Sequence, residues 1–115
     1  MRRGDIVLVD LDPARSGEAD KRRPAVVVSN DGANVTADRL GRGVVTVVPV
    51  TSNVDRVHPF QVRLPADATG LDRDSKAQAE QVRSVAVDRI ATTLGRVPAA
   101  LMSELDDSLR LHLAL

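Results

Sequence analysis

The stretch Arg23-Pro24-Ala25-Val26-Val27-Val28-Ser29-Asn30 decides how the chain folds. The unbroken apolar run Ala25 to Val28, three of its members β-branched, predicts a strand over 24–30 buried on both faces. Pro24 suits the first position of that strand, where a missing amide donor costs little. Upstream, Asp12 to Arg23 holds Pro, Ser, Gly and four positive charges without any helical or alternating period, which predicts a long, exposed, mobile loop. Before it, Gly4 to Leu11 (GDIVLVDL) is apolar and β-branched enough to be a strand.

Downstream, Asp31 to Leu40 predicts a loop with a short helix, capped by Asp31 or Asn34 and ended by Gly41 and Gly43. Val44 to Thr51 (VVTVVPVT) is a Val- and Thr-rich strand, and Pro49 inside it argues for an edge position or a bulge. Asn53 to Pro59 turns the chain, and Phe60 to Leu64 alternates as a half-buried strand. Pro65 to Lys76 reads as irregular, and Ala79 to Ile90 as one loosely alternating strand. Leu101, Leu105, Leu109 and His112 or Leu113 recur at helical spacing after Pro98, a good first helical residue. About five short strands, a small internal helix and a terminal helix predict a mainly β fold, a small curled sheet or barrel packed on one helix.

At 115 residues without a composition break, the chain fits one domain over 1–115. Such a domain buries only about two thirds of the surface its unfolded chain exposes, so its working surface should be a shallow face or groove. Sixteen basic and sixteen acidic side chains cancel, which excludes the strong overall positive field of a general nucleic-acid binder and makes any anion site local. With no cysteine there are no disulfides, thiolate nucleophiles or Cys-based zinc sites, and His58 and His112 are too far apart in sequence to make a metal cluster. The apolar run after Met1-Arg2-Arg3 is short and interrupted by Asp10 and Asp12, unlike a signal peptide. No segment approaches the roughly 18 to 20 apolar residues of a membrane span, so a cytoplasmic protein is expected. One Phe and no Trp or Tyr leave little base stacking, so any RNA recognition should lean on hydrogen bonds and guanidinium groups.

The order and spacing of Gly4-Asp5-Ile6, Val9-Asp10, Asp12-Pro13, Gly17-Glu18, Arg23-Pro24-Ala25-Val26-Val27-Val28-Ser29, Pro49-Val50-Thr51-Ser52, Pro59-Phe60, Ala79-Glu80-Gln81-Val82-Arg83-Ser84 and Gly95-Arg96-Val97 resemble the MazF/PemK/Kid family of toxin endoribonucleases along nearly the whole chain. The resemblance implies an SH3-like small β-barrel, shared with the CcdB gyrase poisons, assembled as a homodimer. It implies cleavage of single-stranded RNA, usually mRNA, without a metal or other cofactor, leaving a 2′,3′-cyclic phosphate and a free 5′-hydroxyl. It also implies a small MazE-like antitoxin whose acidic tail lies across the RNA groove.

Such cleavage needs removal of the 2′ proton, stabilisation of an anionic phosphorane and a proton for the departing 5′ oxygen. Arg23 can supply the second through its planar fork of donors. The resemblance also gives it acid and base duties, which the strong basicity of guanidinium groups in general makes less obvious. Thr51 is the catalytic partner that the resemblance implies, expected as a hydroxyl that orients the phosphate rather than as a covalent nucleophile. Ser52 can add a second hydroxyl. Lys21 and Arg22 would hold phosphates, with Arg15 helping, and such contacts add affinity rather than sequence choice. Glu18 either orients Arg23 or accepts a base donor, and the Gln81 amide could read a base edge.

Each of these residues has a plainer reading. Arg23 could flank a strand as a solvated charge, and Thr51 and Ser52 could be turn hydroxyls. His58 is the tempting general base, because a histidine side chain ordinarily titrates near neutral pH, but it sits where relatives often have Tyr, outside the implied catalytic set. The chain departs from the family in lacking an aromatic in Ile6-Val7-Leu8 and in its Arg15-Ser16-Gly17-Glu18-Ala19-Asp20 loop, which leaves the recognised RNA sequence open. The competing function is a CcdB-like toxin on the same scaffold that traps DNA gyrase without cutting RNA.

Overall fold

A computed structural model of the chain describes residues 1–11 and 22–115, so Glu18 and Lys21 lie outside the described residues. Strands β1 (Asp5–Asp10), β2 (Arg22–Val27), β3 (Val44–Thr51), β4 (Gln61–Leu64), β5 (Ser75–Gln78), β6 (Arg83–Ala86) and β7 (Ile90–Arg96) are interleaved with helices α1 (Asp31–Leu40) and α2 (Ala66–Thr69) and followed by α3 (Ala99–Leu113). The strands pair antiparallel in the order β4-β5-β3-β2-β1-β7, with β6 also on β3. The expected mainly β architecture with an internal and a terminal helix is therefore present, and the curled sheet stays open between β4 and β7.

Alternation along β1, β2 and β3 sorts the core into two layers. Ile6, Val26, Val48 and Val50 face one way, onto Leu64, Val97 and Leu105 of α3. Val7, Val9, Ala25, Val27, Val45 and Val47 face the other way, onto Ala37 of α1 and Val85. Ala25, Val26 and Val27 are fully buried, so the two-faced burial expected of this strand is found. Its start is not where expected: β2 begins at Arg22, so Arg22 and Arg23 belong to the sheet and Pro24 is the third residue.

Other boundaries shift for identifiable reasons. The 31–40 segment is a full helix capped by Asn30, whose side chain accepts the Ala33 N–H at 2.8 Å, rather than by Asp31 or Asn34. The 65–76 stretch holds α2 and opens β5, and 79–90 is broken by short 3-10 turns at 79–81 and 87–89 into β6 and the start of β7. β7 escapes an apolar-pattern reading because most of it, Ala91 to Leu94, is exposed and the strand is defined by its pairing to β1. On α3, Leu105 is buried and Leu101 and Leu109 pack on the core, whereas His112 and Leu113 are exposed and Pro98 is the cap. Phe60 is half-buried and stacks on His58, ring centroids 5.0 Å apart, instead of entering the core. Among the described residues no helix is long and apolar enough to cross a membrane.

Two contacts hold the α2 corner. A Cβ on Gly95 of β7 would lie 2.1 Å from the Thr69 carbonyl oxygen, so only glycine lets α2 seat there. Pro65 offers no side-chain cap, and Asp74 supplies one from outside, accepting the Ala66 N–H at 2.9 Å and the Arg63 guanidinium at 3.1 Å. The Ala66 hydrogen bond first, then the Arg63 charge, hold the Asp74 carboxyl below its ordinary 3.8.

Gly95→Ala should lower the urea midpoint by the equivalent of about 3 kcal/mol, the upper end of typical overpacking costs. The Asp74 carboxylate, depressed in the folded state, contributes stability that is present above pH 3.8 and fades as pH falls through its lower folded value. Urea midpoints measured through the acid range should therefore fall less steeply below about pH 4 in Asp74→Asn than in the parent protein.

Candidate active site

The β2–β3 ladder pairs Val27 with Val47, Val26 with Val48 and Ala25 with Pro49, and there it stops. Two further residues on the same register would set Arg23 across from Thr51, on one face of the sheet. The ladder ends because of Pro24. The Val28 N–H donates to Thr46 on β3 at 2.9 Å, so by strand alternation the Pro24 position also faces β3. It has no N–H to give to Val50, and the strand ends are left unzipped.

A cavity of about 380 Å³ opens between them, lined by Arg23, Pro24, Val50, Thr51 and Ser52 and closed by Leu71, Asp72, Arg73 and Ser75. This volume is at the small end of the ~300–1,000 Å³ of ligand sites. Ser75 arrives through β5, whose pairing of Thr51 with Lys76 places Ser75 across from Ser52 on the continued register. β5 itself is anchored by Lys76, a buried lysine whose ammonium donates to the Arg56 carbonyl at 2.5 Å. The Thr51 hydroxyl oxygen accepts the Asn53 N–H at 3.2 Å, which leaves its proton to be donated into the cavity.

Arg23 also lines a neighbouring hollow of about 300 Å³ with Leu11, Pro49, Gln78, Gln81 and Arg83, so it stands on the divide between the two. Gln81 is exposed on the 79–81 turn. That turn is pinned by Ala79 N–H to the Phe60 carbonyl (3.2 Å) and by the Gln61 amide donating to Glu80 at 2.7 Å. Arg23 therefore meets Thr51 and Ser52 on one side and Gln81 on the other. Arg22, one residue earlier on a strand, lines a separate hollow with Asp10 and Arg89. His58 lines neither Arg23 hollow.

Arg23 has no ion-pair partner among the described residues, so its guanidinium is available to an anion. Arg73, 3.9 Å from Asp72, adds a second guanidinium to the same wall. Among the described residues no group of three or more His, Cys, Asp or Glu side chains is placed to hold a metal ion. Sequence reasoning missed Asp72, Arg73, Ser75, Gln78 and Arg83. The signal was present only as Asp72-Arg73-Asp74 ahead of Ser75-Lys76-Ala77-Gln78, whose residues are poor strand formers apart from register.

The chain is 64% identical over 115 residues to endoribonuclease MazF9 of Mycobacterium tuberculosis, covering 100% of this chain and 98% of that protein. It is 28% identical over 116 residues to endoribonuclease EndoA of Bacillus subtilis, covering 100% and 96% of the two. A chain of the MazE–MazF crystal structure (Form-II) from Deinococcus radiodurans superposes with a TM-score of 0.81 at 29% identity, covering 100% of this chain and 96% of that one. Residues 2–113 match the family described as PemK-like, MazF-like toxin of type II toxin–antitoxin system. The fold, the whole-chain identity and the family match agree: this chain belongs to the PemK-like, MazF-like toxin family of type II toxin–antitoxin systems.

Proposed function

We propose that this MazF-type toxin, one domain over 1–115, is an endoribonuclease that cuts single-stranded mRNA in the cytoplasm by attack of the RNA's own 2′-hydroxyl, without a metal. The observation that carries the reading is the convergence of Arg23, Thr51 and Ser52 on one cavity beside an unzipped ladder. In the reaction the 2′ oxygen loses its proton and bonds to phosphorus, and the P–O5′ bond breaks with its electron pair on the 5′ oxygen, which takes up a proton. The products are a 2′,3′-cyclic phosphate and a 5′-hydroxyl, and no water is consumed. Arg23 spans two phosphoryl oxygens and offsets the extra negative charge of the phosphorane. Thr51, its oxygen already occupied by the Asn53 N–H, donates its proton to the same phosphate. Ser52 adds a second hydroxyl to the cavity wall.

The family resemblance gives Arg23 the acid and base duties as well. Gln81 reads a base next to the scissile phosphate in this proposal, a role supported by the hollow it shares with Arg23. Glu18, Lys21 and Arg22 complete the substrate-binding set; of these only Arg22 is among the described residues. A homodimer and a MazE-like antitoxin are the partners in this reading. A gyrase-trapping role is not favoured, since Arg23, Thr51 and Ser52 gather at one cavity and the whole-length relatives are endoribonucleases.

Purified protein should cut a long single-stranded RNA in the presence of EDTA, with sequencing of the ends returning one short recognition sequence. Arg23→Ala should lower the cleavage rate by about 10²–10³-fold, the usual cost of removing one donor to a transition-state oxyanion, with an unchanged thermal melt. Thr51→Ala should cost about 10- to 100-fold, in line with one hydrogen bond to a charged group. Full activity in both variants, or cleavage that EDTA abolishes, would overturn this mechanism.

A further inference from the structure

The guanidinium groups of the site continue past Arg23. The hollow that Arg23 shares with Gln81 is walled on its far side by Arg83. Arg83 in turn opens a further hollow of about 240 Å³, lined by Arg83, Ser84, Val85, Ala86 and Arg89. Arg23, Arg83 and Arg89 thus mark successive depressions, each sharing an arginine with the next. Neither Arg83 nor Arg89 has an ion-pair partner among the described residues.

The backbone adds donors at the same place. Among the described residues β6 pairs with β3 alone, so its other edge is open. The Val87 N–H donates to the Gly43 carbonyl at 2.9 Å, just ahead of β3, so alternation turns Arg83 and Val85 toward β3 as well. The N–H groups of Ser84 and Ala86 therefore face outward, between the two arginines. An open edge is ordinarily a hazard for pairing with another chain. Here it offers two amides, the Ser84 hydroxyl and two guanidiniums, with no carboxylate in the lining: a donor set that fits a phosphate. The next hollow, shared through Arg89, sets Asp10 and Asp88 against Arg22 and Arg89, so the excess of positive groups ends there.

We infer that the open edge of β6, flanked by Arg83 and Arg89, is a second phosphate-binding station, which holds the RNA backbone on one side of the scissile phosphate. The inference rests on the RNA-cleaving reading and extends it along the substrate. A rise of ~3.3 Å per strand residue and ~2 Å per 3-10 residue puts Arg89 within about 16 Å of Arg83, enough for more than one phosphate.

The test uses RNAs built on the mapped cleavage site, lengthened one nucleotide at a time on either side. Cleavage kinetics are measured on all-ribo strands, and binding at several salt concentrations on strands made uncleavable by a single 2′-deoxy substitution. In the parent protein KM should fall as the RNA grows on one side only. Arg83→Ala and Arg89→Ala should each lose that gain, raising KM rather than lowering kcat. Each should also flatten the plot of log affinity against log salt by about 0.7, one phosphate contact to a single strand. Arg89→Lys should restore the salt slope, because an ammonium still holds a phosphate as a point charge. Parental length and salt dependence in both alanine variants would overturn the station. So would a fall in sedimentation mass that accounts for the KM change, which would reassign the edge to self-association. Failure of the parent protein to cut any RNA would overturn the cleavage reading, and the station with it.

Discussion

Two prolines in one strand pair govern the working face of this protein, because each removes an N–H from the middle of a sheet. Pro24 ends the β2–β3 ladder and leaves Arg23 and Thr51 facing each other without a backbone bond between their strands. Pro49 acts on the other edge of β3. There β6 pairs with residues 44–47 and β5 with 50–51, so Val48 and Pro49 fall in the gap where one partner gives way to the other. In a continuous central strand Pro49 would cost a ladder bond, and at this handover it costs none. Each proline lines one of the two hollows that meet at Arg23.

A neutral chain acquires a local field by spending its acids elsewhere. Asp106 pairs with Arg3, Asp5 with Arg96, Asp74 with Arg63 and Asp107 with Arg110, and none of these side chains lines the two hollows that meet at Arg23. Asp38 takes the amino terminus. Exposed pairs of this kind add little stability individually. Among the described residues Arg23, Arg83 and Arg89 stay outside these pairs and line three of the hollows, where Asp72 beside Arg73 is the single carboxylate, while the net charge stays zero.

Much of the fold was legible because its central strands carry unmistakable patterns. Ala25 to Val28 announced a strand covered on both faces, and Val44 to Thr51 a long β-branched one. β5 and β7 were not legible. Ser75-Lys76-Ala77-Gln78 buries a lysine by giving its ammonium a carbonyl, which no hydropathy pattern reveals. Ile90 to Arg96 leaves most of its side chains in solvent and is held by backbone bonds to β1. The same division runs through the candidate site. Arg23, Thr51, Ser52 and Gln81 were visible through family resemblance, and the register explains why the first two belong together. Asp72 and Arg73 were invisible because their place beside Thr51 depends on the unforeseen β5.

The pairing of β1 with β7 has a consequence for the making of the protein. Asp5 lies beside Arg96, so one edge of β1 waits until Arg96 has been synthesised. At translation rates of ~5–20 residues per second, the interval from Asp10 to Arg96 is on the order of ten seconds. Throughout it Ile6, Val7 and Val9, fully covered in the finished fold, belong to a strand with an unfilled side. Contacts this distant in sequence close slowly. The nascent toxin thus passes through a vulnerable stage in which its first strand is sticky and its last has not yet been made.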